Sequence, residues 1–172
     1  MKTNRKIFLI GMMGSGKSVT AKSLASMLQA SFVDLDRSIE ASADLSVSEI
    51  FKKHGEAYFR DLESKELQGL ENLSGTLVVA TGGGIVLRPK NTNWMKHHGE
   101  VVYLQASLEV LWQRVKGNQN RPLLAMDDPR AVLEKISAER ELLYQNNADI
   151  SIQTDGRSAD DVAQEIRSKL NL

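Results

Sequence analysis

The fold is decided by the stretch Lys6-Ile7-Phe8-Leu9-Ile10-Gly11-Met12-Met13-Gly14-Ser15-Gly16-Lys17-Ser18, near the start of a chain of 172 residues. Residues 6–10 form a mostly apolar run of strand length, and from Val19 to Leu28 apolar residues recur at helical spacing. The residues between these segments fit G-x-x-x-x-G-K-[ST], the phosphate-binding loop, or P-loop. We therefore predict a strand, a glycine loop and a helix N-terminus in succession.

This order of elements predicts a nucleotide site. The glycines allow backbone N–H groups to converge on phosphate oxygens, and the helix N-terminus adds unpaired donors and a positive dipole end. In this motif Lys17 is expected to reach the β- and γ-phosphates, and Ser18 is expected to ligate Mg²⁺.

Composition excludes several classes of protein. The 22 basic and 22 acidic residues balance, unlike the basic footprint of a nucleic-acid binder. The absence of cysteine excludes disulfides, thiolate zinc sites and cysteine nucleophiles. No run approaches the ~18 apolar residues of a membrane helix, and the N-terminal apolar stretch is too short for a signal peptide. We expect one cytoplasmic domain that binds neither nucleic acid nor membrane, and a monomer because no segment reads as an exposed apolar seam.

Strands and helices alternate along the chain, which predicts a three-layer α/β fold with a buried parallel sheet. Strands are expected at 6–10, 32–34, 76–81, 100–104 and 148–153. Helices are expected at 17–29, 46–71, 89–98, 107–116, 129–146 and 159–170. The polar segment 117–128 lacks periodicity, and a loop of that length is typically a lid or a binding loop.

Two carboxylates follow the second predicted strand in Phe32-Val33-Asp34-Leu35-Asp36. In a strand, residues i and i+2 share a face, and ligands of open α/β sheets bind at the carboxyl ends of the strands. One carboxylate could hold Mg²⁺ through a water, and the other could accept a proton from a substrate hydroxyl. A helix-capping aspartate beside a solvated one is the alternative.

Glycines and arginines supply the remaining candidates. Thr81-Gly82-Gly83-Gly84 ends a buried strand, which indicates a sharp turn or the close approach of a ligand. Arginine binds carboxylate and phosphate through a planar fork, so the arginines are candidate anion ligands unless they are solvated surface charges. The candidates are Arg60, Arg114, Arg121 and Arg140.

Taken together and in order, these segments resemble the shikimate kinases. The resemblance covers almost the whole chain, and the D-x-D and G-E-x-x-F-R segments are its most selective parts. The matching segments are residues 11–18, 32–40, 55–60, 81–84, 121–124 and 139–144.

The resemblance implies a P-loop kinase fold whose five-stranded parallel sheet has the order 2-3-1-4-5. It implies a single domain over residues 1–172, with an acceptor-binding region at about 34–62 and a mobile lid at about 115–128. The implied reaction transfers the γ-phosphate of ATP to the 3-hydroxyl of shikimate, giving shikimate 3-phosphate and ADP. That reaction is a step of chorismate and aromatic amino-acid biosynthesis.

The resemblance also implies roles for individual residues. The catalytic residues would be Lys17, Asp36 as the base, and Arg121 on the lid. Shikimate would contact Asp36, Arg60, Gly82, Gly83, Gly84 and Arg140, with Phe51 and Phe59 beside them. ATP would contact Gly11, Met12, Met13, Gly14, Ser15, Gly16, Lys17, Ser18, Thr20, Arg114, Arg121 and Arg157, and Mg²⁺ would be held by Ser18 and Asp34.

Two positions depart from the family pattern. Leu142 replaces a proline of R-x-P-L-Y, and we expect a change in helix geometry near the pocket without loss of binding. Val19 replaces a threonine, and we expect little effect. The alternatives are another small-metabolite kinase of the same fold, such as a gluconate kinase, or a nucleotide-dependent switch without catalysis; an adenylate kinase would need more arginines at the acceptor.

Overall fold

A single parallel sheet forms the centre of the molecule. The computed structural model describes residues 5–117, 122–124 and 127–172. Its strands are β1 (Lys6–Ile10), β2 (Ser31–Asp34), β3 (Leu77–Ala80), β4 (Glu100–Gln105) and β5 (Ile150–Gln153). They pair in the order β2-β3-β1-β4-β5, and every neighbouring pair is parallel. The expected fold class and strand order are confirmed.

Helices connect the strands and cover both faces of the sheet. They are α1 (Lys17–Leu28), α2 (Leu35–Ala43), α3 (Val47–Gly69), α4 (Pro89–His98), α5 (Leu108–Val115), α6 (Pro129–Asn147) and α7 (Ala159–Lys169). Short 3₁₀ turns lie at Leu70–Asn72, Ile85–Leu87 and Pro122–Leu124. None of the described helices is both long enough and apolar enough to cross a membrane.

The central strands are buried on both faces, as the apolar runs predicted. Along β1, Ile7 and Leu9 belong to a core with α1 and α7, while Phe8 and Ile10 belong to the opposite core with α4, α5 and α6. The alternation follows the two-residue period of a strand. β2 and β5 lie at the sheet edges, and accordingly both keep exposed or partly exposed residues.

The acidic segment after β2 differs from the prediction. β2 ends at Asp34, and Asp36 lies in the first turn of a helix, α2, that the sequence analysis did not predict. The Asp34 side chain caps this helix by accepting a hydrogen bond from the Arg37 N–H at 3.4 Å. The argument that Asp34 and Asp36 share a strand face was therefore wrong, since a capping aspartate ends the strand.

The long helix predicted for residues 46–71 is α3, which is interrupted once. It begins with a capping box in which the Ser46 hydroxyl accepts from the Glu49 N–H at 3.2 Å and Glu49 Oε2 accepts from the Ser46 N–H at 2.9 Å. At Gly55 the backbone leaves the helical region, with φ of 83° and ψ of 172°. This break turns the second part of α3, which carries Arg60, relative to the first.

Candidate active site

The P-loop leaves β1 at the middle of the sheet and closes tightly on its neighbours. A Cβ at Gly11 would lie 2.6 Å from the Leu104 carbonyl oxygen, and one at Gly14 would lie 2.8 Å from a Val115 methyl carbon. Both glycines also have positive φ. Glycine is therefore required here by space as well as by conformation.

Lys17 opens α1, and its side chain folds back over the loop. Its Nζ donates to the carbonyl oxygens of Gly11 at 2.8 Å and of Met12 at 2.9 Å. The residue is buried apart from 8% of its surface and lines the main cavity. An ammonium group is thus held beside the loop where phosphates are expected.

Ser18 and Asp34 place two hard oxygen donors next to Lys17. The Ser18 hydroxyl donates to Asp34 Oδ2 at 2.6 Å, which joins the start of α1 to the end of β2. Mg²⁺ prefers oxygen ligands and uses one or two carboxylates together with phosphates and waters. The chemistry of this pair fits the cation that the sequence predicted for Ser18 and Asp34.

One cavity of about 550 Å³ extends from the P-loop to α2 and α3. Most residues predicted for phosphates, metal and acceptor line it. They are Met13, Gly14, Gly16, Lys17, Ser18, Asp34, Asp36, Arg60, Gly82, Gly83, Gly84 and Arg140. Phe51 and Phe59 line it as well, with ring centroids 4.9 Å apart.

Arg60 is held at the cavity wall by two glutamates on its own helix. Its Nη1 donates to Glu63 Oε2 at 2.9 Å, and its Nη2 donates to Glu56 Oε1 at 3.1 Å. Burial disfavours the charged guanidinium, but the adjacent carboxylates outweigh burial and raise the pKa of Arg60. Arg60 therefore stays cationic at the wall of the cavity.

Glu63 is a residue of this site that the sequence analysis missed. It is fully buried, and its Oε1 has no hydrogen-bond partner among the described residues. Burial raises the pKa of the Glu63 carboxyl and Asp36 adds to the effect, while Arg60 and Arg140 oppose it. The three-residue spacing from Arg60 on a helix was the signal that could have revealed it.

The glycines after β3 leave room for these charged groups. A Cβ at Gly82 would lie 2.2 Å from Glu63 Oε1 and 3.1 Å from Asp36 Oδ1. A Cβ at Gly84 would lie 2.2 Å from the Arg60 Cζ atom. The glycine run predicted a sharp turn or the close approach of a ligand; in the structure, the protein's own charged side chains approach Gly82 and Gly84 closely.

Arg140 reaches the same cavity from α6. It is 95% buried, and its Nη1 lies 3.8 Å from the Cβ position of Gly83. One turn later, the Tyr144 hydroxyl bonds the Gly83 carbonyl oxygen. Burial raises the pKa of Tyr144 to about 12, against the opposing effect of the Arg140 charge. Tyr144 therefore stays protonated at neutral pH.

A second cavity of about 190 Å³ lies on the other side of the P-loop. It is lined by residues predicted to contact the nucleotide, namely Ser15, Gly16, Thr20, Arg114 and Arg157. Arg114 donates to the carbonyl oxygen of Gly14 at 3.0 Å, which fixes its position against the loop. Arg157 donates to Glu165 and to the Gln153 carbonyl oxygen.

The remaining predicted residues lie elsewhere. The carbonyl oxygens of Gly11 and Met12 accept hydrogen bonds from Lys17. Neither residue is among those that line the two cavities in the described part of the chain. Arg121 lies outside the described residues. Pro122 and Leu123, from the segment expected to be a lid, line the main cavity.

The two departures from the family pattern leave the site assembled. α6 runs unbroken through Leu142, whose side chain is exposed, and Arg140 still lines the main cavity. Val19 is exposed on α1 and lines both cavities.

Comparison with known proteins identifies the family to which the sequence is similar. The family model of shikimate kinase matches residues 13–171. A shikimate kinase of Halorhodospira halophila is 43% identical over 96% of this chain and 93% of its own length. One of a Synechococcus strain is 48% identical over 80% of this chain and 72% of its own length.

A solved structure extends the likeness to three dimensions. The shikimate kinase from Acinetobacter baumannii in complex with shikimate has a TM-score of 0.94 and 36% identity, covering 99% of this chain and 95% of that one. The similarity extends over nearly the whole chain in both sequence and structure. The chain belongs to the shikimate kinase family.

Proposed function

We propose that the main cavity binds shikimate beside the terminal phosphate of ATP. The family's reaction, transfer of the γ-phosphate of ATP to the 3-hydroxyl of shikimate, would then take place between the P-loop and Asp36. The observation that carries the proposal is that one cavity is lined by Lys17, Asp36, Arg60 and Arg140. This arrangement brings together an ammonium group for the phosphates, a carboxylate that can act as a base, and two guanidinium groups that can bind a carboxylate.

Phosphoryl transfer depends on positioning and on neutralising charge more than on covalent chemistry. Lys17, already held at the loop by two carbonyl groups, would turn its N–H donors to the β- and γ-phosphates. Positive charge placed there stabilises the negative charge that develops in the transition state. Asp36 would accept the proton of the 3-hydroxyl as that oxygen attacks the γ-phosphorus.

Arg60 and Arg140 would bind the carboxylate of shikimate. Arg60 comes from α3 and Arg140 from α6, so a carboxylate between them would be held from two directions. Planar guanidinium groups make paired hydrogen bonds to a carboxylate, which fixes the direction of the ring attached to it. That direction would place the 3-hydroxyl at Asp36 and away from the adenine side.

The metal and the nucleotide base complete the proposed complex. Ser18 and Asp34 would hold Mg²⁺, which supplies positive charge to the phosphates when bound. The second cavity, with Arg114 and Arg157 at its walls, would accept the adenine. The shared lining residues Gly16 and Val19 support a continuous path for the nucleotide between the two cavities.

The sequence also supports a role for Arg121 in the lid segment. Arg121 is proposed to approach the phosphates when the lid segment at about 115–128 closes, which would exclude water.

We also propose that residues 1–172 form one kinase domain that acts as a cytoplasmic monomer. The monomer is supported by the fact that one chain supplies both sides of the main cavity, and light scattering after size exclusion would test it.

An acceptor survey tests the proposed function. ADP release from ATP would be followed with shikimate, gluconate, AMP or buffer alone. We expect release with shikimate and only a background rate in the other three. Release with gluconate or AMP instead of shikimate would reject the acceptor, and equal slow release in all four would favour a nucleotide-dependent switch.

The Asp36→Asn variant tests the base. The amide keeps the shape of the side chain but does not accept the hydroxyl proton, so turnover should fall by about 10²-fold or more. Nucleotide binding, measured by titration calorimetry, should stay within about twofold of wild type because the P-loop is unchanged. Turnover close to wild type would remove Asp36 from the mechanism.

A further inference from the structure

Glu63 is a buried carboxylate to which the proposed reaction gives no role. The residue has no exposed surface, and its Oε2 accepts a hydrogen bond from Arg60 Nη1 at 2.9 Å. Its Oε1 has no hydrogen-bond partner in the part of the chain that the structure describes. Because a buried charge is costly unless it is paired, the carboxylate form of Glu63 depends chiefly on Arg60.

The glycine run after β3 brings other charged groups close to Glu63. A Cβ at Gly82 would overlap Glu63 Oε1 and would lie 3.1 Å from Asp36 Oδ1, and Arg140 Nη1 lies 3.8 Å from the Cβ position of Gly83. The charged and titratable groups that face Glu63 are Arg60 on α3, Asp36 on α2, and Arg140 and Tyr144 on α6. Among these described groups, two cations balance two carboxylates before an acceptor binds.

Arg60 is shared between Glu63 and a second glutamate on its own helix. Its Nε and Nη2 donate to Glu56 Oε1 at 3.3 Å and 3.1 Å. The Glu56 side chain keeps 46% of its surface exposed, whereas that of Glu63 keeps none. Water screens the charge of Glu56 but does not reach Glu63. A further anion on Arg60 would therefore act mainly on Glu63.

The carboxylate of shikimate would be that further anion. It would be attracted to Arg60 and would repel Glu63, so the carboxylate form of Glu63 would become less favourable. Burial already raises the pKa of the Glu63 carboxyl, and the charge of Arg60 opposes this rise. A proton on Glu63 would remove the added repulsion.

We propose that binding of the acceptor carboxylate at Arg60 is coupled to the uptake of one proton by Glu63. The proposal rests on the proposed function, because it assumes that Arg60 binds the carboxylate of shikimate. The proton comes from the solvent and binds at Oε1, the oxygen that lacks a partner among the described residues. Affinity for shikimate should therefore fall as pH rises, by at most about tenfold per pH unit.

Titration calorimetry counts the protons. Shikimate would be titrated into the protein in buffers of equal pH and different ionisation enthalpy, because the dependence of the observed heat on that enthalpy gives the number of protons taken up. The series would run upward from 4.5, the ordinary pKa of a glutamate carboxyl, to about pH 9. We expect a maximum uptake of at least about half a proton, the result of a tenfold change in proton affinity. A smaller uptake at every pH would overturn the proposal.

The Glu63→Gln and Glu56→Gln variants form a matched pair. Each removes one carboxylate from Arg60, but only Glu63 is buried. Glu63→Gln should abolish the proton uptake and most of the pH dependence of shikimate affinity, whereas Glu56→Gln should keep both. Circular dichroism would confirm that each variant is folded. Uptake that persists in folded Glu63→Gln would overturn the proposal, because another group would then bind the proton.

The methyl ester of shikimate tests the coupling on wild-type protein, without relying on the folding of a variant. The ester keeps the hydroxyl groups but lacks the negative charge, so it should bind more weakly and without proton uptake. Equal uptake with ester and acid would overturn the proposal. Wild-type protein that is inactive on shikimate would reject the proposed function, whereas turnover of shikimate without proton uptake on binding would reject only the role of Glu63.

Discussion

Gly84 is the clearest case of a residue whose value lies in having no side chain. The Arg60 guanidinium occupies the space where a Cβ would stand, with its Cζ atom 2.2 Å from that position. Arg60 is already fixed there by Glu56 and Glu63, so it cannot move aside without breaking an ion pair. Glycine at 84 therefore leaves the space in which the Arg60 guanidinium lies.

The Gly84→Ala variant should consequently lose affinity for shikimate. A displacement of the guanidinium by about 1 Å can cost up to about 10²-fold in rate, so we expect kcat/KM for shikimate to fall by about 10-fold to 10²-fold. KM for ATP should be unchanged. Steady-state kinetics with each substrate varied in turn would measure both constants.

Gly69→Ala is the matched control for this change. Gly69 ends α3, and no atom lies within 4 Å of its Cβ position. Both kinetic constants should equal those of wild type, since alanine is favoured in a helix. If Gly84→Ala behaved like this control, the proposed position of Arg60 in acceptor binding would be wrong.

Glu63 gives the site a dependence of stability on pH. Its carboxyl has a pKa raised by burial, so the folded protein binds this proton more tightly than the unfolded chain does. Stability from such a group is fully present below the pKa of the unfolded chain and is lost as pH rises through the folded pKa. The carboxylate form is tolerated because Arg60 donates to it.

Removing this titration should change the pH profile. As the pH rises above 4.5, the ordinary pKa of a glutamate carboxyl, the free energy of unfolding of wild type should decline relative to that of Glu63→Gln, by at most about 1.4 kcal/mol per pH unit. Urea unfolding at a series of pH values would measure the difference. The exposed Glu134→Gln serves as a control and should track wild type, and a difference for Glu63→Gln that does not vary with pH would contradict the assigned proton.

At the scale of elements, α2 and α3 show where sequence patterns were sufficient and where they were not. The capping box at Ser46 predicted the start of α3, because its signal is local in sequence. α2 was missed because Asp34 and Asp36 were interpreted as sharing a strand face, whereas Asp34 ends β2 and caps the helix that contains Asp36. The break at Gly55 was also missed, since a single glycine does not reveal whether its backbone is helical.

The Ser46→Ala variant tests the cap on which α3 begins. It removes the acceptor for the Glu49 N–H, and such changes cost about 1 kcal/mol of folding free energy. Ser168→Ala, at an exposed position in the last turn of α7, should cost nothing measurable. Denaturant unfolding would compare the two variants, and equal stabilities would argue against the capping role.

At the scale of the whole molecule, the strand order separates the residues proposed for the acceptor from those proposed for the adenine. β2 and β3 deliver the acidic pair and the glycines to one side of β1, while β4 and β5 lead to Arg114 and Arg157 on the other. The P-loop lies between these two groups of residues. The phosphates would therefore bind at the centre, with the acceptor on one side and the adenine of the nucleotide on the other.

The alternation of strands and helices predicted the layers, and the boundaries of the five strands were close to those observed. The strand order came from the family resemblance, because periodicity does not specify which strands pair. The convergence of Arg60, Arg140 and Asp36 was not derivable from spacing either, since they come from three helices that meet only after folding. Glu63 was missed because the burial of its carboxylate beside Gly82 arises only in the tertiary structure.

The most direct test of the account is a crystal structure of the protein with shikimate and ADP. We expect the shikimate carboxylate within hydrogen-bonding distance of both Arg60 and Arg140, its 3-hydroxyl at Asp36, and the ADP phosphates on the P-loop beside Lys17. Shikimate bound with its carboxylate away from both arginines, or its 3-hydroxyl directed away from the phosphates, would contradict the central claim.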